Sequence, residues 1–538
     1  MYIQLYIDNG MGFVAQDAIK LMVAPHADLQ EFVFNLPKQA RALRLVPLAE
    51  CTTVEIVYLT LIRETDELDL MARLAPNATA LVTSTPPTYY FNTADTQIHI
   101  NPLGALDLAT AQQLQVGIRY LSAGKRVFDT RIFPTLLQQY ATANTHQGND
   151  MLVGEVVSVQ HWCEATQSPY YVIGSAQQIV TPSPKYIGAK IDATFGVANT
   201  NELYVAELKQ ARIISKCDVI IVDNTTVLCD AMTHTLGGTI DPLYEPAIKY
   251  QHANKLLVDY TNYQKIHAER GILLAGVTSH HFGHWMLEHL PKYRMLDALR
   301  VYDNWPVYVD ADMPASHYDS LRLITGGKRQ IIKIAANTTV IFDRLLIAPT
   351  FTFFPYHCWP ETQMTIDIGP ISPGSCHYLR AKLLSAMGLD AMPIVTQKKG
   401  RRLFIARDFI SARKMLNEAE IQDFLKTLGF EMVYPEQLTF EQQVRIFNEA
   451  EIIIGPNGSG FTNAFFCKEG TKIIMLGRVY TDNFASWIHA LEKLGLQHLF
   501  VAGPSVATDT IVHHQNYIVP LVLIRQALAY FDIDGCDR

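Results

Sequence analysis

The chain has 538 residues, enough for roughly three domains at about 150 residues each. With 49% apolar and 18% charged residues it has the balance of an ordinary globular protein with well-formed cores. A formal charge of −8 argues against a nucleic-acid binder, which would show a basic excess, although local basic clusters could still grip a small anion.

Met1 to Asp8 has no basic region and meets an aspartate early, so no signal peptide is expected. There is no run of about 18 apolar residues to span a membrane. The eight cysteines are scattered without a CxxC pair, as suits reduced thiols in a cytoplasmic protein better than a disulfide or zinc framework. The first ~125 residues alternate with period two: Ile3, Leu5, Ile7; Phe32, Phe34, Leu36; Val54, Ile56, Tyr58, Thr60, Ile62; Leu114, Val116, Ile118, Tyr120. Half-buried strands separated by turns predict an antiparallel β-sandwich-like module. Residues ~126–165 are polar and read in part as a linker, and ~165–260 is again strand-rich, with Cys217 to Val222 a clear apolar run.

From ~270 strands alternate with helices. Ile272 to Val277, Val307 to Val309, Ile331 to Ile334 and Leu345 to Ala348 read as strands, and 284–300 and 316–324 as helices. A second series starts at Leu403-Phe404-Ile405. Its first helix opens at Asn417 with Glu420 three residues on, a capping box, and ends at Gly429. A second helix opens at Thr439 with Gln442 in the same relation. Strands follow at Ile452 to Ile454, Lys472 to Met475 and Leu499 to Val501, and a last helix, ~Pro520 to Phe531, is placed to pack back across the first series. Two βαβ series predict two doubly wound parallel-sheet domains facing each other.

Three stretches carry the chemistry. The densest is His280-His281-Phe282-Gly283-His284-Trp285-Met286-Leu287-Glu288-His289. On a helix His284 and Glu288 share a face, and imidazole beside carboxylate makes a general base near neutral pH. The spacing His-x-x-x-Glu-His fits neither zinc-peptidase pattern, so no metal is expected there. Asp310-Ala311-Asp312 after the strand Val307 to Val309 could hold a divalent ion, but a solvated strand end is the reading preferred. Basic residues crowd at Lys398, Lys399, Arg401, Arg402, Arg407 and Arg413. Arg407, just past a strand, is the one placed to pair with a phosphate. Finally, Ile452-Ile453-Ile454-Gly455-Pro456-Asn457-Gly458-Ser459-Gly460-Phe461-Thr462-Asn463 is a strand feeding a helix through glycine, which aims backbone N–H groups at a bound phosphate.

Together, His281 to Glu288, Arg407 through Arg413 to Asn417-Glu418, and Gly455 to Asn463 resemble the motifs of glycosyltransferase family 61 over roughly residues 170–515. Asn457 stands where that family commonly has histidine, and His281 where it often has asparagine. The resemblance implies an α/β fold with a GT-B-like pair of Rossmann-like domains. Residues 1–125 would be the β-sandwich-like accessory module, 126–385 the linker, β-rich segment and acceptor-side domain, and 386–538 the nucleotide-sugar-binding domain with its C-terminal return helix. It implies an inverting, metal-independent transferase, with a UDP-sugar the expected donor and no resident cofactor. The acceptor would be a hydroxyl of a glycan, glycolipid or protein, reached in the cytoplasm or by peripheral association with the inner membrane surface. His284 and Glu288 would face the acceptor, with Glu288 the marginally better base and His284 its partner, the reverse order being the alternative. Arg407, Arg413, Gly455, Gly458, Ser459 and Gly460 would hold the diphosphate, braced by Asn457 and Asn463. The alternatives are a non-catalytic carbohydrate-binding protein, which would bind free glycan and ignore nucleotide sugars, and a protein O-glycosyltransferase.

Overall fold

A computed structural model describes residues 2–8, 13, 18–23, 28–38, 40–48, 52–76, 79–81, 86–91, 96–100, 108–123, 150–180, 185–188, 197–200, 202–229, 245, 247–252, 254–350, 352, 371–392, 400–407, 414–478, 483–506 and 516–533. Arg413, Lys398, Lys399 and most of the expected linker lie outside these. The chain divides into two compact units, Met1–Glu155 with Pro246–Thr261, and Val156–Glu245 with Asn262–Arg538.

In the first unit, five strands pair in one antiparallel sheet: Ile19–Met22, Tyr2–Asp8, Ala42–Val46, Ile98–Ile100 and Leu74–Pro76. A second sheet is built around Thr52–Arg63 and Ala111–Ala123. Ile3, Leu5, Leu43 and Leu45 from one and Phe34, Val54, Leu114 and Val116 from the other fill one core. The period-two run from Val54 is not kept throughout: the buried residues are Val54 and Ile56, then Leu59 and Leu61. A register shift opposite Gly117/Ile118 supplies the extra residue that turns Tyr58 outward. Gly117 lies beneath that ring, where a Cβ would come 2.3 Å from Tyr58 Cε1.

The second unit is mixed α/β. One of its sheets holds four mutually parallel strands, in the spatial order Thr338–Ile347, Gln264–Leu273, Val307–Asp310, Ile331–Ile334. This series is not purely parallel, because Leu203–Ile214 runs antiparallel beside Thr338–Ile347 along eight residue pairs from Ala206/Ile347 to Ile214/Thr339. A second large sheet is parallel throughout, in the order Glu431–Val433, Arg401–Ile405, Ala450–Pro456, Lys472–Arg478, Gln497–Gly503, with Tyr186–Gly188 on the far edge. Helix Glu418–Thr427 and the final helix Leu521–Tyr530 bury Ile421, Leu425, Ile524 and Leu528 against one face of this second sheet. The last helix therefore packs on its own sheet and not across the first series: it lies against Tyr186–Gly188 and Gln497–Gly503, and its apolar stripe belongs to one core with Ile452 and Ile474. The opposite face of the sheet shares one continuous core with the first series, in which Trp285, Leu321 and Val307 join Ile405, Phe440 and Ile453.

Local signals set several helix ends. Thr439 and Gln442 form both halves of the capping box at Phe440–Asn448. Asn417 does not cap Glu418–Thr427. Its side chain bonds both backbone groups of Val519 instead, and its amide also donates to Glu420. Among the described residues no helix is long and apolar enough to cross a membrane, and Cys163, Cys217, Cys229, Cys376 and Cys467 are buried thiols outside any disulfide.

Candidate functional site

Downstream of strand Gln264–Leu273 the chain turns through Gly276–His281 and enters a helical path. This path is α over Phe282–His284, π over Trp285–His289, 3-10 over Leu290–Lys292 and α again over Tyr293–Asp297. Met286, Leu290 and Tyr293 are buried and anchor the helix in the core. The wide π turn carries Glu288 inward as well, and such single-turn widenings are frequent at functional sites. Its carboxylate is 4% exposed as a residue, and its Oε2 lies 2.5 Å from His284 Nδ1. His284 keeps 26% of its side chain exposed, so it is the member of the pair a substrate can reach. Burial works against protonating His284, yet the Glu288 charge and hydrogen bond and the Asp218 charge together raise it above its ordinary value. His289, fully enclosed and bonded through Nε2 to Val277 O, is pushed well below its ordinary value by burial.

The loop leading into this helix is held by carboxylates. Asp310, at the end of its strand, is 1% exposed. It accepts from Gly276 N (3.1 Å), Ser279 Oγ (2.6 Å) and Lys216 N (3.3 Å). It is therefore not a solvated strand end: the neighbouring loop folds over it and supplies its donors. Asp312 pairs with Lys216, whose backbone N–H is one of the donors to Asp310, so both carboxylates of Asp310-Ala311-Asp312 have protein partners. No cluster of three or more metal-ligating residues occurs among the described residues. Asp218 accepts from Val277 N (3.1 Å) and is itself tied by its backbone N–H to Glu245. Neither Asp218 nor Glu245 was marked by a motif. The available signal for Asp218 was a lone charge inside the apolar run Cys217 to Val222, the kind of position that requires a hydrogen-bonded partner.

In the parallel sheet the strand sequence runs 2-1-3-4-5 in space, so the order in which strands are added reverses between Arg401–Ile405 and Ala450–Pro456. The crevice beyond the carboxyl ends of strands flanking such a reversal is where open α/β sheets bind ligands. Arg407 follows one of these strands and Asn457-Gly458-Ser459-Gly460 the other. Gly455 abuts Ile405, where a Cβ would come 2.8 Å from its Cβ and its carbonyl oxygen. The Arg407 guanidinium lies over Gly458 and donates to the carbonyls of Pro456 (3.3 Å) and Asn457. Asn457 is half-buried with its N–H on Leu476 O, and Ser459 is exposed at the start of a 3-10 helix, Ser459–Phe466. Asn463 is fully buried, and its amide donates to Gln443 and Gly460 O, holding the turn from behind. Arg401 and Arg402 are ion-paired with Glu431, Glu449 and Glu451 along the sheet, away from the reversal. Glu418 is half-buried near Arg407. Burial raises its carboxyl, opposed by hydrogen bonds from Gln422 and the Arg407 backbone and by the Arg407 charge.

The two halves meet. A Cβ on Gly283 would sit 3.1 Å from Ser459 Oγ, so the helix bearing His284 starts directly against the glycine turn. Residues 282–474, about a third of the chain, match the family model described as Glycosyltransferase 61. That segment contains every described site residue named above from His284 to Asn463 and is narrower than the span 170–515 expected from the motifs. Comparison with curated proteins gives no match. The segment that assembles this site is thus similar to glycosyltransferase family 61, which supports a glycosyltransferase in general terms.

Proposed function

We propose that this protein transfers a sugar, with inversion, from a nucleotide-sugar donor to a hydroxyl of a glycan acceptor, without a metal ion. The observation that carries the reading is the approach of Gly283 to Ser459, which sets a histidine–carboxylate pair beside a glycine turn at a topological switch point. In this reaction the acceptor oxygen bonds to the anomeric carbon as the bond from that carbon to the diphosphate oxygen breaks. The base takes the acceptor proton, and N–H donors stabilise the departing diphosphate. The exposures favour His284 as the base and Glu288 as the buried group that orients it, the reverse of the order preferred from sequence. The 458–460 turn and Arg407 would face the diphosphate, with Asn463 bracing from behind. Metal independence is supported by the commitment of Asp310 to its loop and of Asp312 to Lys216. The unit's two large sheets would serve in the manner of a GT-B pair. A UDP-sugar donor, a cytoplasmic setting and a surface-glycan acceptor complete the proposal.

Calorimetric titration with UDP-, GDP-, CMP- and dTDP-sugars tests it, run on the wild type and on the Arg407→Ala and Gly458→Asp variants. Saturable binding of one nucleotide sugar, lost in both folded variants, is the expected result. No binding of any nucleotide sugar by the folded wild type, together with binding of free glycan, overturns it in favour of a carbohydrate-binding protein.

A further inference from the structure

We propose that Asp218 and Asp310 are positioning residues for the His284–Glu288 pair, clamping the Gly276–Ser279 loop from two sides. The consequence for turnover rests on the transferase reading above; the clamp itself does not. Asp310 reaches the loop from the end of strand Val307–Asp310 and holds Gly276 N and Ser279 Oγ. Asp218, from the turn after strand Leu203–Ile214, holds Val277 N. Four consecutive residues are thus fixed at three of their positions by two carboxylates from separate elements, and Val277 O is taken by His289 from the helix itself. The remaining position, Thr278, has φ 60, a left-handed backbone that a β-branched residue rarely adopts. Strain of this kind persists only where the surroundings over-determine it, and it clusters at functional sites. The loop passes directly into the helix: His281 N donates to Thr278 O (2.8 Å) and Trp285 N to His281 O (2.8 Å). A shift of the loop is therefore a shift of His284.

Space is equally restricted. A Cβ on Gly276 would meet Asp218 Oδ1 at 2.4 Å and His289 Cε1 at 3.0 Å, so the carboxylate, the loop and the helix are packed without slack. Asp218 is in turn placed by buried Glu245, which accepts from its N–H and from Cys217 Sγ.

The test uses the full-length chain with Asp218→Asn, Asp310→Asn and Thr278→Gly. The glycine variant removes the need for strained backbone, so a purely structural loop would tolerate it or gain stability. Three readouts are compared: the donor dissociation constant, kcat, and the ring-nitrogen NMR signals of His284 in histidine-labelled protein. The expected result is a fall in kcat of roughly 10- to 100-fold. Donor affinity should hold within about twofold, the thermal midpoint of Thr278→Gly should not fall, and the His284 signals should be displaced. Wild-type kcat and unmoved His284 signals in folded Asp218→Asn and Thr278→Gly would overturn the proposal, whether or not Asp310→Asn folds. If the wild type neither binds nor turns over any nucleotide sugar, the transferase reading fails separately. The His284 signals then decide the clamp alone, displaced signals supporting it and unmoved ones overturning it.

Discussion

The Arg407 guanidinium occupies the space that a side chain on Gly458 would need: a Cβ there would lie 2.0 Å from Nη2. The same guanidinium donates to the successive carbonyls of Pro456 and Asn457. Arginine and glycine turn are therefore one assembly. A cation that neutralises the carbonyl side of the loop leaves its N–H groups to dominate the local field toward an anion.

Gly458→Ala should push the flexible Arg407 side chain aside while leaving the fold intact. The donor dissociation constant is expected to rise about tenfold, roughly 1.4 kcal/mol, with little change in thermal midpoint. Gly455→Ala should behave oppositely, because its Cβ would meet the Ile405 carbonyl at 2.8 Å and backbone cannot swing away. A loss of about 1–3 kcal/mol in stability is expected from such overpacking. Urea unfolding of the two variants, beside donor titration, separates them.

His284→Ala should cost roughly 10²- to 10⁴-fold in kcat with donor affinity retained, as for loss of a general base. The pH dependence has a definite sign. The His284 value is raised in the folded state, so the ion pair with Glu288 stabilises the fold fully below about pH 6.5. That stabilisation is lost as pH climbs through the raised value. Neutral imidazole, the form that accepts a proton, appears only above the same value. The acid limb of kcat/KM should accordingly lie above about pH 6.5 and move down in Glu288→Gln. A limb that stays in place would remove Glu288 from the role of charge partner.

Burial holds His317 and His498 down at about 4 each. Unfolded, both would protonate near pH 6.5, so the unfolded state gains protons first and stability should fall as pH drops from about 6.5 toward 4. Each histidine contributes up to about 1.4 kcal/mol per pH unit in that window. Urea midpoints across the range should drop in acid, and the slope should flatten in His498→Gln.

Thr439→Ala removes a capping box with both bonds made and should cost about 1 kcal/mol. Asn417→Ala should cost a comparable amount for another reason, the loss of both backbone bonds to Val519. Hydrogen exchange would tell them apart. The first variant should free amides at the start of Phe440–Asn448, the second those around Val519 and the start of Leu521–Tyr530.

What the sequence determined by itself is what neighbouring residues decide between them. Strand Ile331–Ile334 was legible in its apolar run, and helix Phe440–Asn448 in its capping box. The glycine turn after Ile452 to Ile454 was legible because its conformational demands lie within a few residues. The His284–Glu288 contact was legible because four residues make one turn. The tertiary structure decided whatever depended on partners far along the chain. Asn417 looks like a cap until Val519, 102 residues on, offers it two backbone groups. Asp310 looks solvated until the Gly276–Ser279 loop folds over it, and Asp218 is silent until Val277 is near. The side on which the last helix packs, and the antiparallel strand Leu203–Ile214 within the first series, likewise follow from which apolar faces meet. A side chain's type fixes what it can bond, but its partner is chosen only when the chain brings distant donors and apolar surfaces together.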